Sequence, residues 1–319
     1  MIVTLTANPS LDRTATLDRA LTRGDVHRVT SVTVEPGGKG INVARVAHHA
    51  GHPVRAVLPA GPGDLILRGL DDLRLPYRTV PLDEAVRTNL TLTEADGTTT
   101  KINEPGPSLN AETVERLANL LVLESERADW VVLSGSLPPG VPAEWYADLV
   151  RALRPWGCRI AVDTSDAPLL ALAARFPDAA PDLLKPNSEE LAQLTGADPE
   201  ALEAAAAGGD PSACVAAARS LVARGVGAVM ATLGGAGAVL VTADGAWHAT
   251  PPPITLRSTV GAGDSSVAGY VLAQTRDLNA PDRLRLAVAY GSAAASLAGT
   301  ALPHPEQLNT TAVTITRVG

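Results

Sequence analysis

STVGAGDSS, residues 258–266, is the stretch that says most about the fold and chemistry of this 319-residue chain. Gly261 and Gly263 make a turn of small residues, and the apolar run after it is typical of a helix. Because the first N–H groups of a helix have no acceptor within it, those of Ala262, Gly263 and Asp264 are predicted to point into an anion hole. The stretch therefore predicts a helix N-terminus that holds a phosphate.

Asp264 is the unusual residue of this stretch, and it has two interpretations. As an N-cap it would stabilise the helix by about 1 kcal/mol. As a carboxylate beside an anion hole it could accept a hydroxyl proton while the hole stabilises a transferring phosphate. A dinucleotide-binding fingerprint is excluded, because the last position of the pattern is Ser266, where Gly or Ala is needed.

A second glycine segment, EPGGKGINVAR at residues 35–45, lies nearer the N-terminus. Its glycines would let the backbone approach a ligand closely, and the helix that follows would offer free N–H groups. It is not a Walker A loop, because Lys39 is followed by Gly40 instead of Ser or Thr. With Lys39 and Asn42 beside the glycines, we predict a binding segment in preference to a purely structural turn.

Two weaker motifs follow candidate strands. KPNSEE, residues 185–190, either begins a helix with Asn187 as N-cap or places Lys185 on a phosphate. In the second interpretation Asn187 and Glu190 lie near Mg²⁺ and its waters. TLGGAGA, residues 232–238, suits close passage of a planar base or a phosphate, and a tight hairpin explains it equally well.

Short apolar runs alternate with helical patterns along the chain. This alternation is typical of βαβ units and a mostly parallel sheet, in which the loops at the carboxyl ends of the strands hold ligands. The predicted strands are residues 2–7, 54–59, 130–133, 159–162, 182–184 and 228–232. The predicted helices are residues 41–50, 111–124, 142–153 and 212–223.

Two regions interrupt this alternation, residues 28–35 and residues 87–94 with 98–103 after them. Both are rich in Thr and Val with alternating polarity, the pattern of half-exposed strands. They predict a small sheet projecting from the core. Such a sheet could be an edge hairpin or a lid over a site.

Composition excludes several classes of protein. A net charge of −8 disfavours a nucleic-acid partner, and a hydrophobic content of 45% is enough for a real core and argues against disorder. At about 150 residues per domain, the length predicts one large α/β domain or two small ones. No apolar run reaches about 18 residues, so no membrane span is expected. Residues 1–6 indicate a buried strand and not a signal peptide. Cys158 and Cys214 have no CxxC spacing, so we expect no disulfide and a cytoplasmic location.

Together the motifs resemble the PfkB-type carbohydrate kinases of the ribokinase-like superfamily. Residues 37–45 and 259–269 look like the two diagnostic segments of that family, and the resemblance covers nearly the whole chain from residue 6. The implied fold is a three-layer α/β/α arrangement with a mostly parallel, doubly wound sheet and a small β-sheet lid. The resemblance implies a single kinase domain over residues 1–319, with lid segments at approximately residues 10–36 and 86–106.

The resemblance also implies a role for each motif. Asp264 is the expected base, and the backbone of Gly261, Ala262 and Gly263 is the expected anion hole. Asp12, Gly38, Lys39 and Asn42 are expected to hold the sugar hydroxyls. Arg28, Arg87 and Lys101 are the candidates for the phosphate that the substrate already carries, with Ser136 beside it; Arg suits that task because it binds phosphate in a bidentate manner. The expected ATP-binding residues are Lys185, Asn187, Glu190, Thr232, Gly234 and Gly237, and Glu190 is expected to hold Mg²⁺ through water.

Further segments are similar to the hexose-phosphate branch of the family: NPSLD at 8–12, EPGG at 35–38, KINEPGP at 101–107 and SGSLPPG at 134–140. The implied reaction is ATP-dependent phosphorylation of a ketohexose monophosphate, with fructose 1-phosphate giving fructose 1,6-bisphosphate as the first expectation. Tagatose 6-phosphate and fructose 6-phosphate are the alternative substrates. The segment NEPG at 103–106 looks more like the kinases of fructose 1-phosphate or tagatose 6-phosphate than like those of fructose 6-phosphate. Ser258 stands where members with a monovalent-cation site usually carry Asp, which puts ordinary K⁺ activation in doubt.

Two other functions remain open at this point. One is a kinase of unphosphorylated sugars or nucleosides on the same fold, for which Arg87 and Lys101 would matter little. The other is a non-catalytic regulator that binds sugar phosphates, against which the intact Gly-Ala-Gly-Asp segment argues. The resemblance suggests a homodimer through the lids, and no nucleic-acid or membrane partner is expected.

Overall fold

A computed structural model describes residues 1–318, which form fourteen strands and ten α-helices. The strands are β1 (Ile2–Leu5), β2 (Ser10–Leu17), β3 (Val29–Gly37), β4 (Val54–Pro59), β5 (Tyr77–Val80), β6 (Arg87–Thr93), β7 (Thr99–Asn103), β8 (Trp130–Ser134), β9 (Arg159–Asp163), β10 (Leu183–Leu184), β11 (Ala228–Thr232), β12 (Ala238–Thr242), β13 (Gly245–Thr250) and β14 (Thr314–Arg317). The helices are α1 (Lys39–His49), α2 (Leu65–Asp72), α3 (Ala111–Ser125), α4 (Trp145–Leu153), α5 (Asp166–Ala174), α6 (Ser188–Thr195), α7 (Pro199–Ala207), α8 (Ser212–Val222), α9 (Ala262–Gln274) and α10 (Ala280–Ala295).

Ten of these strands form one large sheet in the order β14-β13-β12-β11-β10-β9-β8-β1-β4-β5. From β11 to β5 every neighbouring pair is parallel. The other edge, from β11 to β14, is antiparallel. The sequence therefore predicts the mostly parallel sheet correctly, and it indicates the antiparallel edge only through the possible hairpin at residues 232–238.

Helices cover both faces of the large sheet and give three layers. Alternate residues of a strand point to opposite faces, so Ile2 packs in one buried cluster while Val3 and Leu5 pack in the other. The first cluster includes residues of α1, α2, α9 and α10, and the second includes residues of α3 to α8. Both faces of the central strands are buried, which explains their continuous apolar sequence.

The remaining four strands form a small sheet in the order β3-β2-β6-β7. Ser10 lies opposite Gly37 on one side and Arg87 on the other, and Asp12 lies opposite Glu35 and Asn89 in the same way. The chain enters this sheet just after β1 and leaves it directly into α1. The small sheet is therefore joined to the large one at the carboxyl end of β1.

Most predicted elements are present with shifted ends. The predicted strand at residues 2–7 stops at Leu5, and that at 182–184 is reduced to two residues. The predicted helix at 142–153 begins at Trp145, because its first residues form a turn closed by the Trp145 N–H and the Pro142 carbonyl. Cys158 and Cys214 are both free and buried, so the expectation of no disulfide is confirmed. Over residues 1–318, none of the helices combines the length and apolarity needed to cross a membrane.

Candidate active site

The candidate site lies where the central parallel strands end. The carboxyl ends of β8, β9, β10 and β11 meet at one edge of the large sheet, and ligands of such sheets bind in the crevice outside that edge. Asp163 is the last residue of β9, Lys185 follows β10, and Thr232 is the last residue of β11. The start of α9, with Asp264, faces the same crevice.

Two cavities occupy this crevice and share Thr232, Gly234, Thr259 and Gly263 in their walls. One, of about 460 Å³, is polar, and its lining includes Lys39, Asp163, Lys185, Asn187, Glu190, Gly261 and Asp264. The other, of about 550 Å³, is mostly apolar and is walled by Gly237, Pro251, Pro252, Ile254, Val288 and Ala295 among others. A charged compartment thus lies directly beside an apolar one, an arrangement that suits a ligand with a phosphate chain and a flat base.

Asp264 is the third residue of α9 and is 6% exposed. Its interpretation as the N-cap is wrong, because Gly261 occupies that position and the Asp264 side chain does not cap the helix. The Asp264 Oδ2 instead accepts a hydrogen bond of 2.8 Å from the Asn42 side chain on α1. Asn42 therefore fixes the carboxylate that the sequence picked out as a base.

The surroundings of Asp264 make it a better proton acceptor than an ordinary carboxylate. Burial and the negative charge of Asp163 raise its pKa to about 6, against the opposing effects of Lys39, Asn42 and Lys185. A carboxylate with a pKa near neutrality suits general base catalysis. It remains ionised at neutral pH.

The backbone at the start of α9 differs in one respect from the predicted anion hole. The N–H of Ala262 points back to the Thr259 carbonyl at 3.4 Å, a long hydrogen bond. The N–H groups of Gly263 and Asp264 lie in the first turn of the helix, where no intrahelical acceptor is available. The positive end of the helix therefore faces the polar cavity chiefly through these two groups.

Asp163 lines the polar cavity, and no motif in the sequence indicated it. Its Oδ1 pairs with the Lys39 Nζ at 2.9 Å and with the Lys185 Nζ at 3.3 Å. Burial raises the pKa of Asp163, but the two ammonium groups outweigh burial and hold it below the ordinary value. In Lys39, burial alone would lower the pKa, and the carboxylates of Asp163, Asp264 and Glu190 raise it instead. Lys39 is therefore held in its charged form.

On the side of α6, Asn187 and Glu190 form a capping box. The Asn187 Oδ1 accepts from the Glu190 N–H at 2.7 Å, and the Glu190 Oε2 accepts from the Asn187 N–H at 2.8 Å. The N-cap interpretation of Asn187 is confirmed, and both residues line the polar cavity as well. Burial raises the pKa of Glu190.

The turn after β11 brings Gly234 and Gly237 to the wall of the apolar cavity. Gly237 has a φ of +93°, and a Cβ on it would lie 1.9 Å from the Ala249 carbonyl oxygen. Only glycine fits at such a close approach. The predicted hairpin into β12 and the cavity wall are both present, so the two interpretations of this segment were compatible.

On the small sheet, Asp12 lies in a network of polar side chains. Its Oδ1 accepts from the Ser10 hydroxyl at 2.8 Å and from the Asn89 amide at 3.0 Å. Burial raises the pKa of Asp12, and Arg87 is close enough to oppose that shift. The Arg87 guanidinium donates to the Glu104 carbonyl at 3.1 Å, while its Nε is buried with no partner in residues 1–318. Ser10 and Asn89 were not predicted as site residues. The available signal was their spacing, because Ser10 is two residues from Asp12 on β2 and Asn89 is two residues from Arg87 on β6.

Ser136 lies in the turn after β8. The Asn8 side chain donates to the Ser136 hydroxyl at 3.4 Å and to the Pro105 carbonyl at 3.0 Å, so it connects this turn to the segment after β7. The Asn8 Oδ1 is buried without a partner in the described part of the chain. Gly38, the N-cap of α1, has a φ of +106° and contacts Thr6 so closely that a Cβ would lie 2.6 Å from the Thr6 side chain.

Two predicted residues lie apart from these groups. Arg28 is exposed and directly precedes β3, at the far end of the small sheet from Ser10 and Gly37. Lys101 is exposed on β7 opposite Thr91, two residues from the pair formed by Asn103 and Asn89. Side chains two residues apart on a strand share a face, so Lys101 is on the face that carries Asp12. The role of Arg28 therefore stays a prediction, because its position in this chain is remote from the other site residues.

The donor set of the polar cavity suits a weakly held Mg²⁺. No group of three or more His, Cys, Asp or Glu side chains with metal-binding geometry occurs in residues 1–318. Mg²⁺ usually keeps several waters and takes only one or two carboxylates together with substrate phosphates. Glu190 on the cavity wall provides such a carboxylate.

Comparison with known proteins decides the family. A family model described as pfkB family carbohydrate kinase matches residues 5–307. The chain belongs to this family. The 1-phosphofructokinase of Rhodobacter capsulatus is 38% identical over 320 residues, which cover 99% of this kinase and 96% of that relative. The ATP-dependent 6-phosphofructokinase isozyme 2 of Escherichia coli (strain K12) is 36% identical, with 94% of each chain covered.

Solved structures agree with the fold of this carbohydrate kinase. Phosphofructokinase-2 from Escherichia coli, in complex with potassium, matches it with a TM-score of 0.86 at 33% identity, covering 97% of this chain and 96% of that one. The ribokinase of Arabidopsis thaliana, at 20% identity and a TM-score of 0.69, shares the fold. The predicted ribokinase-like fold is confirmed. The protein is an ATP-dependent sugar-phosphate kinase, a phosphotransferase that uses an alcohol group as acceptor.

Proposed function

We propose that this kinase transfers the γ-phosphoryl group of ATP to a ketohexose monophosphate, and that fructose 1-phosphate is the preferred acceptor, giving fructose 1,6-bisphosphate. The observation that carries the proposal is the buried Asp264 carboxylate, held by Asn42 at the start of α9 and beside two lysines. The 38% identity to a 1-phosphofructokinase favours fructose 1-phosphate. The 36% identity to a 6-phosphofructokinase isozyme makes fructose 6-phosphate the second candidate, with tagatose 6-phosphate as a third.

In this mechanism Asp264 accepts the proton of the attacking sugar hydroxyl. The backbone at the start of α9, in the predicted Gly261–Gly263 anion hole, holds the negative charge of the transferring phosphoryl group, chiefly through the N–H groups of Gly263 and Asp264. Such transfer depends mainly on positioning and on charge stabilisation, so one base and a few donors suffice. When bound, Mg²⁺ neutralises charge on the β- and γ-phosphates. Glu190 would hold it through water.

The proposed contacts divide into a sugar side and a nucleotide side. On the sugar side, Asp12, Gly38, Lys39 and Asn42 hold the hydroxyls, while Arg87, Lys101 and Ser136 receive the phosphate already on the sugar. The half-buried Arg87, with its unpartnered Nε, is the strongest of the three phosphate candidates. On the nucleotide side, the expected contacts are Lys185, Asn187, Glu190, Thr232, Gly234 and Gly237.

The small sheet acts as a lid in this proposal, within a single kinase domain. Its face opposite Asp12 carries exposed Val32, Val34 and Ile102, an apolar strip that a second copy of the chain could cover. A homodimer through the lids follows, and Arg28, remote from its own site, would then act only across that interface. Sedimentation velocity tests this, and a purely monomeric species at assay concentration contradicts it.

A coupled assay of ADP release tests the proposed reaction directly. The acceptors are fructose 1-phosphate, fructose 6-phosphate, tagatose 6-phosphate, and unphosphorylated fructose and ribose, each with ATP and Mg²⁺. We expect the highest kcat/KM with fructose 1-phosphate and little turnover of the free sugars. Preference for a free sugar, or binding of sugar phosphate without ADP release, contradicts the proposal.

The pKa of Asp264 leads to a prediction for the pH dependence of kcat. A base works only when deprotonated, and this carboxyl has a pKa of about 6. We therefore expect kcat to be constant near neutral pH and to fall about tenfold per pH unit below about 6. A profile that stays flat down to pH 4.5, measured with saturating substrates, would exclude Asp264 as the titrating base.

Gly237→Ala is expected to weaken ATP binding selectively. The added Cβ would meet the Ala249 carbonyl at 1.9 Å at a backbone φ of +93°, so the turn must shift. Strain of about 1–3 kcal/mol corresponds to a rise in the KM for ATP of about 5- to 150-fold. Gly208→Ala, at the end of α7, is the control, because Gly208 is exposed, has a φ of −75°, lines neither cavity and would place a Cβ no closer than 3.4 Å to another atom. Equal KM values for the two variants would contradict the assignment.

A further inference from the structure

Two lysine side chains, Lys39 and Lys185, lie near the Asp264 carboxylate in the polar cavity. Lys39 lies close enough for Asp264 to raise its pKa. A Cβ on Gly263, the residue before Asp264, would lie 3.5 Å from the Lys185 Nζ. Two ammonium groups therefore lie beside a carboxylate that must remain free to accept a proton.

Both ammonium groups nevertheless form their ion pairs with a different carboxylate. The Lys39 Nζ lies 2.9 Å and the Lys185 Nζ 3.3 Å from the same Oδ1 of Asp163, which is 1% exposed. The Oδ2 of Asp163 is buried and has no partner in residues 1–318, so the two lysines are the groups that hold this side chain. Asp264 accepts from the neutral Asn42 amide instead.

We propose that Asp163 is a positioning residue that holds the ammonium groups of Lys39 and Lys185 together and keeps both from pairing with Asp264. Lys39 comes from α1 and Lys185 from the end of β10, so a group between them at the end of β9 is well placed for this. A lysine paired with Asp264 would neutralise the base and draw it away from the sugar hydroxyl. Asp163 thus separates the two lysines, Lys39 on the sugar side and Lys185 on the nucleotide side, from the group that accepts the proton.

This inference rests on the proposed function, because Asp264 needs such protection only if it is the base. The charged groups that face Asp264 are Asp163 from β9, Lys39 from α1 and Lys185 after β10. Asp163 raises the pKa of Asp264, whereas the two lysines lower it. Removal of the Asp163 charge should therefore lower the pKa of Asp264 in two ways. It removes a negative charge that raises this pKa, and it frees a lysine to pair with the Asp264 carboxylate.

The test is the pH profile of kcat for Asp163→Asn. We expect kcat at pH 8 to fall about ten- to hundredfold, because the lysines and the base are misplaced. We expect the acid limb of the profile to move to lower pH by about one unit or more. A residue with only a structural role would lower the amount of active enzyme and leave the limb where it is.

Asp166→Asn is the matched control for the loss of one negative charge. Asp166 lies three positions further along the chain, is exposed, and has a φ of 55°, which asparagine also tolerates. We expect its kcat and its acid limb to equal those of the wild type. If Asp166→Asn moved the acid limb as far as Asp163→Asn does, the effect would be one of net charge and the proposal would be overturned.

A second variant covers the case in which Asp163→Asn folds poorly. In Asp163→Asn/Lys185→Met one ammonium group is removed together with the carboxylate, so we expect a higher Tm than for Asp163→Asn alone, and an acid limb that is still lowered. A lower Tm for the double variant contradicts the proposal, as does an acid limb at the wild-type pH in either variant. Absence of ADP release from the wild type with every sugar phosphate would instead contradict the proposed function.

Discussion

Asp264→Asn should lose nearly all turnover, with kcat lowered about 10²–10⁴-fold. The amide has the shape of the carboxylate and can still accept the hydrogen bond from Asn42, but it cannot accept a proton at any accessible pH. Binding of fructose 1-phosphate should therefore change little. Steady-state kinetics give kcat, and calorimetry with the sugar phosphate in the absence of ATP gives Kd.

Asp277→Asn provides the control for this substitution. Asp277 lies just beyond the other end of α9, is exposed and has a φ of 55°, so asparagine fits there. Its kcat should equal that of the wild type. If Asp264→Asn itself kept a near wild-type rate, the role of Asp264 as base would be wrong, whatever the acceptor.

Arg87→Met has the second largest expected effect, and this one falls on the sugar phosphate. The guanidinium is half buried beside Asp12, with one nitrogen on the Glu104 carbonyl and a buried Nε free for a phosphate. Hydrogen bonds to a charged group contribute about 1.5–3 kcal/mol, so kcat/KM for fructose 1-phosphate should fall about 10- to 150-fold. The KM for ATP should remain close to that of the wild type.

The matched control for Arg87→Met is Arg116→Met. Arg116 is exposed on α3, outside the small sheet and both cavities. Its removal should leave both KM values unchanged. An equal effect of Arg87→Met on the KM values of the sugar phosphate and ATP would place Arg87 outside the phosphate subsite.

The sequence predicted the large sheet well because its signals are local. A strand buried on both faces must be apolar throughout, so residues 130–133 and 228–232 could be identified without knowledge of their neighbours. The small sheet was harder to predict, because its strands are half exposed. In β2 the alternation of Leu11, Ala15 and Leu17 with polar residues is the corresponding signal, but it is too short and irregular to have predicted a strand there.

Asp163 shows why part of the site could not be predicted. Three lysines, at positions 39, 101 and 185, stand out in a chain whose other basic residues are arginine. The sequence does not show that two of them meet at one carboxylate, because the contact joins Lys39 to a residue 124 positions away. The available signal was a polar residue at the carboxyl end of a predicted core strand, which applies to many residues and becomes specific only when the strand order is known.

The position of Arg28 illustrates the opposite limit. Its type and its place before a Thr-rich strand suit a phosphate ligand, but the register of β2 and β3 puts it at the far end of the small sheet. Register depends on pairing between strands and cannot be read from one strand alone. Lys101, in contrast, is placed by its register on the face that carries Asp12.

The division of the site between two sheets also bears on how new sugar preferences could arise. Asp12, Asn89 and Arg87 belong to the small sheet, whereas Asp163, Lys185 and Asp264 belong to the large sheet and its helices. Mutations in β2, β6 and β7 can reshape the acceptor pocket while the phosphoryl-transfer groups keep their supports. We therefore expect specificity to diverge by exchange of small-sheet residues, and libraries that randomise those strands to be the productive route to kinases for other sugars.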